Sequence, residues 1–228
     1  MIIKTLIREK EPSEPLFSKK NRKLIQDPLN DNNPVTVQVL GICSALAVTA
    51  KLLPAIVMAV SVMVVLAMGN VVISLMRNII PNRIRIIVQL VIIAALVILV
   101  DQVLKAFAYD VSKQLSVFVS LIITNCIIMG RFEAFALRNK PWPVFLDGLG
   151  NAWGYGIILV IVAFFRELLG SGSLLGIQIL GDPVKKTGLY ALGYDNNGFM
   201  LLAPMALIAV GIIIWVQRSR NTKLIEKK

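Results

Sequence analysis

The chain has 228 residues, of which 57% are hydrophobic and 16% charged, with a net charge of +11, no histidine and two cysteines. A soluble domain carries about 25% charge and about 45–50% apolar residues, so an ordinary soluble globule is excluded, as are extended disorder, a disulfide scaffold and every histidine-based metal site or general base. The positive charge must first be read against a membrane, because basic residues mark one side of it.

A helix crosses about 30 Å of hydrocarbon with about 20 apolar residues. Residues 1–33 hold no such run. They read as a polar arm, largely extended, ending in the turn-formers Asp27 to Asn33. A short interfacial helix at Ile2–Arg8 is compatible with this reading. Six apolar segments follow, at about 34–50, 54–76, 86–104, 114–130, 149–169 and 199–217. Between them, Arg131–Asp147 carries Arg138-Asn-Lys-Pro-Trp-Pro143, a loop signature. The longest internal loop covers about 170–198. The expected fold class is an all-α membrane protein of six transmembrane helices, in a domain at 34–217 followed by a basic tail at 218–228.

Sidedness follows from lysine and arginine. With six spans and the N-terminus in the cytoplasm, 18 of the 24 basic residues fall on the cytoplasmic side. The other six are Lys51, Lys105, Lys113, Arg166, Lys185 and Lys186. The split favours both termini inside. It accounts for the +11 without nucleic acid and leaves membrane lipid as the general partner.

Six spans divide into repeats of about 34–112 and 113–217. Three spans per repeat make the second enter from the opposite side, as in inverted-repeat transporters. The first span of each repeat contains one cysteine. Cys43 has Gly41 and Ser44 nearby, and Cys126 follows Thr124 and Asn125. Both segments are short and irregularly flanked, which fits half-helices broken near Cys43 and Cys126. Broken backbone at depth must be buried against protein or a cavity.

The plain reading of each cysteine is a small buried hydrophobe. The sharper reading is metal ligation, since thiolates suit iron–sulfur clusters and zinc. A [2Fe–2S] cluster normally takes four thiolates. This chain has two, so such a cofactor would sit on an interface with another chain or a second copy.

Other features have structural readings. Asp101 and Lys105, at (i, i+4), form a plausible helical pair. Arg166 and Glu167 cap the bundle or pair with other spans. Gly150 and Gly154 form a small-residue motif that permits close packing. Arg166 to Gly172 ends in a glycine stop. Trp142, Trp153 and Trp215 fit interfacial anchors.

A denser pattern runs through Asp31-Asn-Asn-Pro34, Val39-Leu-Gly-Ile-Cys43-Ser-Ala, Ile84-Arg-Ile-Ile-Val-Gln, Tyr109-Asp-Val-Ser-Lys-Gln, Ile122-Ile-Thr-Asn-Cys126-Ile and Phe164-Phe-Arg-Glu-Leu-Leu-Gly. Over about residues 31–217 it resembles the D-type subunit family of the bacterial sodium-translocating NADH:quinone oxidoreductase, with similar subunits in Rnf-type ferredoxin:NAD complexes. The resemblance implies a subunit of a six-subunit respiratory translocase in the bacterial inner membrane, inactive alone. It implies an inverted pair with the homologous E-type subunit, and further partners A, B, C and F. It implies a [2Fe–2S] cluster shared within that pair, with two ligands here, Cys43 and Cys126, and two from the partner. FAD, FMN, riboflavin and another [2Fe–2S] cluster belong to the other subunits. The shared cluster is expected to relay electrons between flavins on opposite sides of the membrane. The arm at 1–33 and the loop at 181–197 depart from the family pattern. Two other readings compete with the pump subunit. One is an inverted-repeat transporter without a cluster, in which Asp101 or Glu133 handles ions. The other is a purely structural membrane scaffold.

Overall fold

The structure, a computed structural model, describes residues 24–29, 32–78, 80–81, 83–107, 120–174, 177–178 and 198–220. An interfacial helix at residues 2–8, the 181–197 loop, residues 108–119 (which include the start of the expected fourth span) and the tail beyond 220 lie outside these.

Among the described residues the fold is helical. Its elements are α1 (Ile42–Val48), α2 (Leu52–Met76), α3 (Arg85–Phe107), α4 (Cys126–Arg131), a π-helical turn (Phe132–Ala136), α5 (Pro141–Ser171), a 3-10 turn (Gly198–Leu201) and α6 (Ala203–Arg220). The exception is a two-residue antiparallel pairing after α5, with Ser173 opposite Gln178 and Leu174 opposite Ile177.

Among the described residues, three helices are long and apolar enough to cross a bilayer: α2, α3 and α5. α6 is shorter and also apolar. α2 and α5 form the central pair. Met58, Val62, Leu66 and Ile73 of α2 are buried in the same core as Tyr155, Leu159 and Val162 of α5. Much of α3 faces outward, with Ile87, Val91 and Leu99 each 63% exposed. Such an apolar surface is at home against lipid or another membrane chain.

The expected first span is not one helix. Asn33 turns the chain, its Oδ1 accepting from the amides of Val35 and Thr36 at 3.0 and 3.3 Å. Val39 then takes φ 58 and Gly41 φ 82, both left-handed. Only seven residues of helix follow, about 10 Å in length. The fourth segment is broken likewise. A helical turn at 120–123 stops at residues 124–125, and the six-residue α4 restarts at Cys126.

The loop expected over Arg131–Asp147 is largely helical instead. The π-helical turn follows α4, and α5 begins at Pro141. Proline in a first turn lacks only an amide that has no partner there anyway, so Pro141 and Pro143 start the helix rather than bar it. α5 therefore has 31 residues and ends where Gly172 takes φ 69, its amide donating to the Leu168 carbonyl at 3.2 Å, the glycine stop expected from the sequence.

The earlier start also moves Trp153 well inside α5. Trp142, Trp153 and Trp215 are all exposed, but only Trp142 lies in a first turn. The glycine pair at 150 and 154 packs against backbone, Gly150 on the helical residues Leu24 and Ile25 and Gly154 on the turn at Pro28. A Cβ on Gly150 would lie 2.8 Å from the Leu24 carbonyl oxygen, and one on Gly154 2.7 Å from that of Pro28. The segment at 24–28 thus seats its backbone on α5, and Asn33 Nδ2 donates to the Gly154 carbonyl at 3.3 Å.

Candidate functional site

The breaks ahead of α1 and α4 bring their first turns together. Cys126 is the first residue of α4 and half-buried; Cys43 is the second of α1 and exposed. The amide of Gly41 donates to Cys126 Sγ at 3.0 Å. Residues 85 positions apart in sequence are thereby joined backbone to sulfur.

A polar network fixes this meeting. Asn125 caps α4, its Oδ1 accepting from the Ile127 amide at 3.2 Å, which satisfies a first-turn donor. Its Nδ2 donates to Ser44 Oγ at 3.4 Å. Ser44 Oγ donates to the Gly41 carbonyl at 2.8 Å, which leaves the Tyr155 hydroxyl, 2.7 Å away, to donate to Ser44. Ser44, Asn125 and Tyr155 are all buried. Buried polar groups need such partners, because one left unpaired costs about 1–3 kcal/mol. Glycine is required at position 41. Its φ of 82 disfavours other residues, and a Cβ there would stand 2.9 Å from Tyr155 Cε2.

The flanking supports come from α5. Arg166, 2% exposed, donates to Thr49 Oγ1 at 2.5 Å and to the carbonyls of Met200 at 3.1 Å, Leu201 at 2.8 Å and Leu202 at 3.2 Å. It reaches the Leu46 carbonyl at 3.5 Å. The Leu46, Thr49, Met200 and Leu201 oxygens lie where α1 and the 3-10 turn end, and the Leu202 carbonyl also accepts from the Met205 amide at 3.2 Å. Glu167 accepts from the amide of Leu52, the first residue of α2. The pair at 166–167 therefore does what the sequence suggests: it closes helix ends in the bundle.

The other charged candidates sit elsewhere. Asp101 pairs with Lys105 at 2.5 Å on the same helix. Glu133 pairs with Arg85 and accepts from Gln89 Nε2 at 3.4 Å. Neither joins the cysteines. Two groups escape a reading of the sequence. Tyr155, flanked by Gly154 and Gly156, carries no signal of its own in a single sequence. Arg131, one of the topology-setting charges by sequence, grips Asp147 with two nitrogens and lies 5.6 Å from the centre of the Phe135 ring.

The donor set is two thiols with no third ligand. Among the described residues no group of three or more Cys, Asp or Glu could hold a metal ion. Cys126 Sγ takes the amide of Gly41, two positions before Cys43, and Cys43 itself is exposed; a four-thiolate site would need two further thiols.

Residues 21–214 match the family described as Rnf-Nqr subunit, membrane protein. The chain belongs to the Rnf-Nqr family. It is 56% identical over 211 residues to the D subunit of the Na(+)-translocating NADH-quinone reductase of Photobacterium profundum, covering 92% of this chain and 98% of that one. It is 55% identical over 206 residues to the same subunit of Haemophilus ducreyi, covering 90% and 97%. The counterpart in Serratia proteamaculans is 54% identical over 211 residues, covering 92% and 99%. Such near full-length similarity includes both cysteine segments of this Rnf-Nqr chain.

Proposed function

We propose that this Rnf-Nqr chain is the D-type membrane subunit of a sodium-pumping NADH:quinone oxidoreductase. In this reading Cys43 and Cys126 furnish two thiolates toward a [2Fe–2S] cluster, and the homologous E-type subunit furnishes the other two. The observation that carries it is the Gly41 amide on Cys126 Sγ, which holds the Cys43 turn beside the second thiol. When bound, such a cluster takes up and gives back one electron, which serves electron passage between flavins on opposite membrane faces.

The chain's own residues do the positioning. Tyr155, Ser44 and Asn125 lock the two first turns in one geometry. Arg166 and Glu167 fix the far end of α1 and the start of α2. Polar partners behind a ligand set its orientation, and their loss commonly weakens a metal site. The exposed edge at Cys43 faces the partner. The element order supports an inverted repeat of six spans: a short helix at a cysteine, a long helix, then another helix, twice over. The basic clusters support cytoplasmic termini in a bacterial inner membrane, and the full complex adds subunits A, B, C and F.

The test is co-expression. The chain purified alone should carry no iron, and co-purification with the E-type partner should restore iron and acid-labile sulfide together. Stoichiometric iron on the isolated chain, or none on the pair, would overturn the reading.

A further inference from the structure

A second polar site lies away from the cysteines, at the end of the bundle where α2 stops and α3 and α5 start. A cavity of about 200 Å³ is lined by Arg77, Ile80, Arg85, Glu133, Leu137 and Arg138. We propose that it binds the phosphate headgroup of an anionic phospholipid.

Three guanidinium groups face one carboxylate, so the cavity keeps an excess of two positive charges. Glu133 is occupied by Arg85 and by Gln89. Arg77 gives one nitrogen, Nη1, to the Asn139 carbonyl at 2.9 Å, which anchors the side chain and leaves other donors of its five. Arg138 is exposed at the rim. Guanidinium forks match phosphate oxygens better than any single point charge. The volume admits a phosphodiester with a few waters.

The surroundings select a lipid over a free ion. Ile80 and Leu137 form apolar walls in the cavity itself. Beside it, Leu75 of α2 and Ile86 and Ile87 of α3 are 65%, 55% and 63% exposed. An acyl chain lying on these residues would keep its headgroup at the arginines. Basic pockets between helices at a membrane end are suited to such headgroups.

The experiment titrates the purified, delipidated complex with phosphatidylglycerol and counts bound lipid by native mass spectrometry. Phosphatidylcholine and inorganic phosphate serve as separate arms. Each arginine near an anionic headgroup contributes about fivefold, so Arg77→Gln with Arg138→Gln should weaken one tight phosphatidylglycerol about 30-fold. Arg83→Gln, outside the cavity, should leave it unchanged. Where the double variant does not assemble, Arg138→Gln alone should cost about fivefold. Equal loss in Arg83→Gln, full retention in the cavity variants, or equal occupancy by phosphatidylcholine would overturn the proposal. Displacement of the lipid by millimolar inorganic phosphate alone would overturn the lipid as occupant.

Discussion

Gly41→Ala perturbs the meeting of the two cysteine turns at its tightest point. Alanine at φ 82 costs about 1–2 kcal/mol through its Cβ alone. That Cβ would stand 2.9 Å from Tyr155 Cε2 and 3.2 Å from Cδ2. Carbon atoms rest at about 3.5–4.0 Å, so the ring must retreat by about 0.6 Å or more. It has little room, being fully buried and tied by its hydroxyl to Ser44 at 2.7 Å. Overpacking of this kind costs about 1–3 kcal/mol, for a total of about 2–5 kcal/mol. Gly211→Ala supplies the control. Nothing lies within 4 Å of its added methyl, and alanine in a helix gains up to about 1 kcal/mol over glycine. The assay compares the apparent unfolding temperature of the two purified complexes. Gly41→Ala should fall well below wild type, while Gly211→Ala should match or exceed it. Equal stability of the two variants would refute the packing argued for Gly41.

Two further outcomes follow from the charged residues. Arg166→Leu removes the guanidinium donor from Thr49 and from the carbonyls of Met200 and Leu201, so about 3 kcal/mol or more of stability should be lost; assembly yield and unfolding temperature report it, and an unchanged yield would contradict the capping role. Asp101→Asn breaks a pair whose lysine is 45% exposed, which is worth about 0–1 kcal/mol; sodium uptake into vesicles carrying the whole complex should stay within about twofold of wild type by the same small energy, and its abolition would favour an ion path through Asp101.

The long helices are the legible part of this fold. Continuous apolar runs reveal α2 and α3 within about two or three residues of their observed ends, because in lipid the hydrocarbon thickness sets the length of the run. The breaks at the cysteines are legible for a local reason: Gly41 and Asn125 are residues that favour a turn or a cap over continuation. Arg166 and Glu167 announce themselves as charges in an apolar segment, where an ionisable group must find a partner. The start of α5 is not legible, because Pro141, Trp142 and Pro143 are loop formers in isolation, and only the surrounding chain shows that they begin a helical turn. Tyr155 is invisible because an aromatic between two glycines on a helix looks like packing. Its role is set by Ser44, 111 positions away. The grip of Arg131 on Asp147 is hidden likewise, because it depends on how α5 folds back over the end of α4.

The central claim is that Cys43 and Cys126 are two of four ligands. Iron and acid-labile sulfide, measured per purified complex for Cys43→Ser and Cys126→Ser against wild type, test it most directly. Each variant should lose the iron and sulfide of one cluster, in equal amounts, while the complex still assembles. Full iron and sulfide in both variants, with electron transfer to quinone intact, would contradict the assignment of this site.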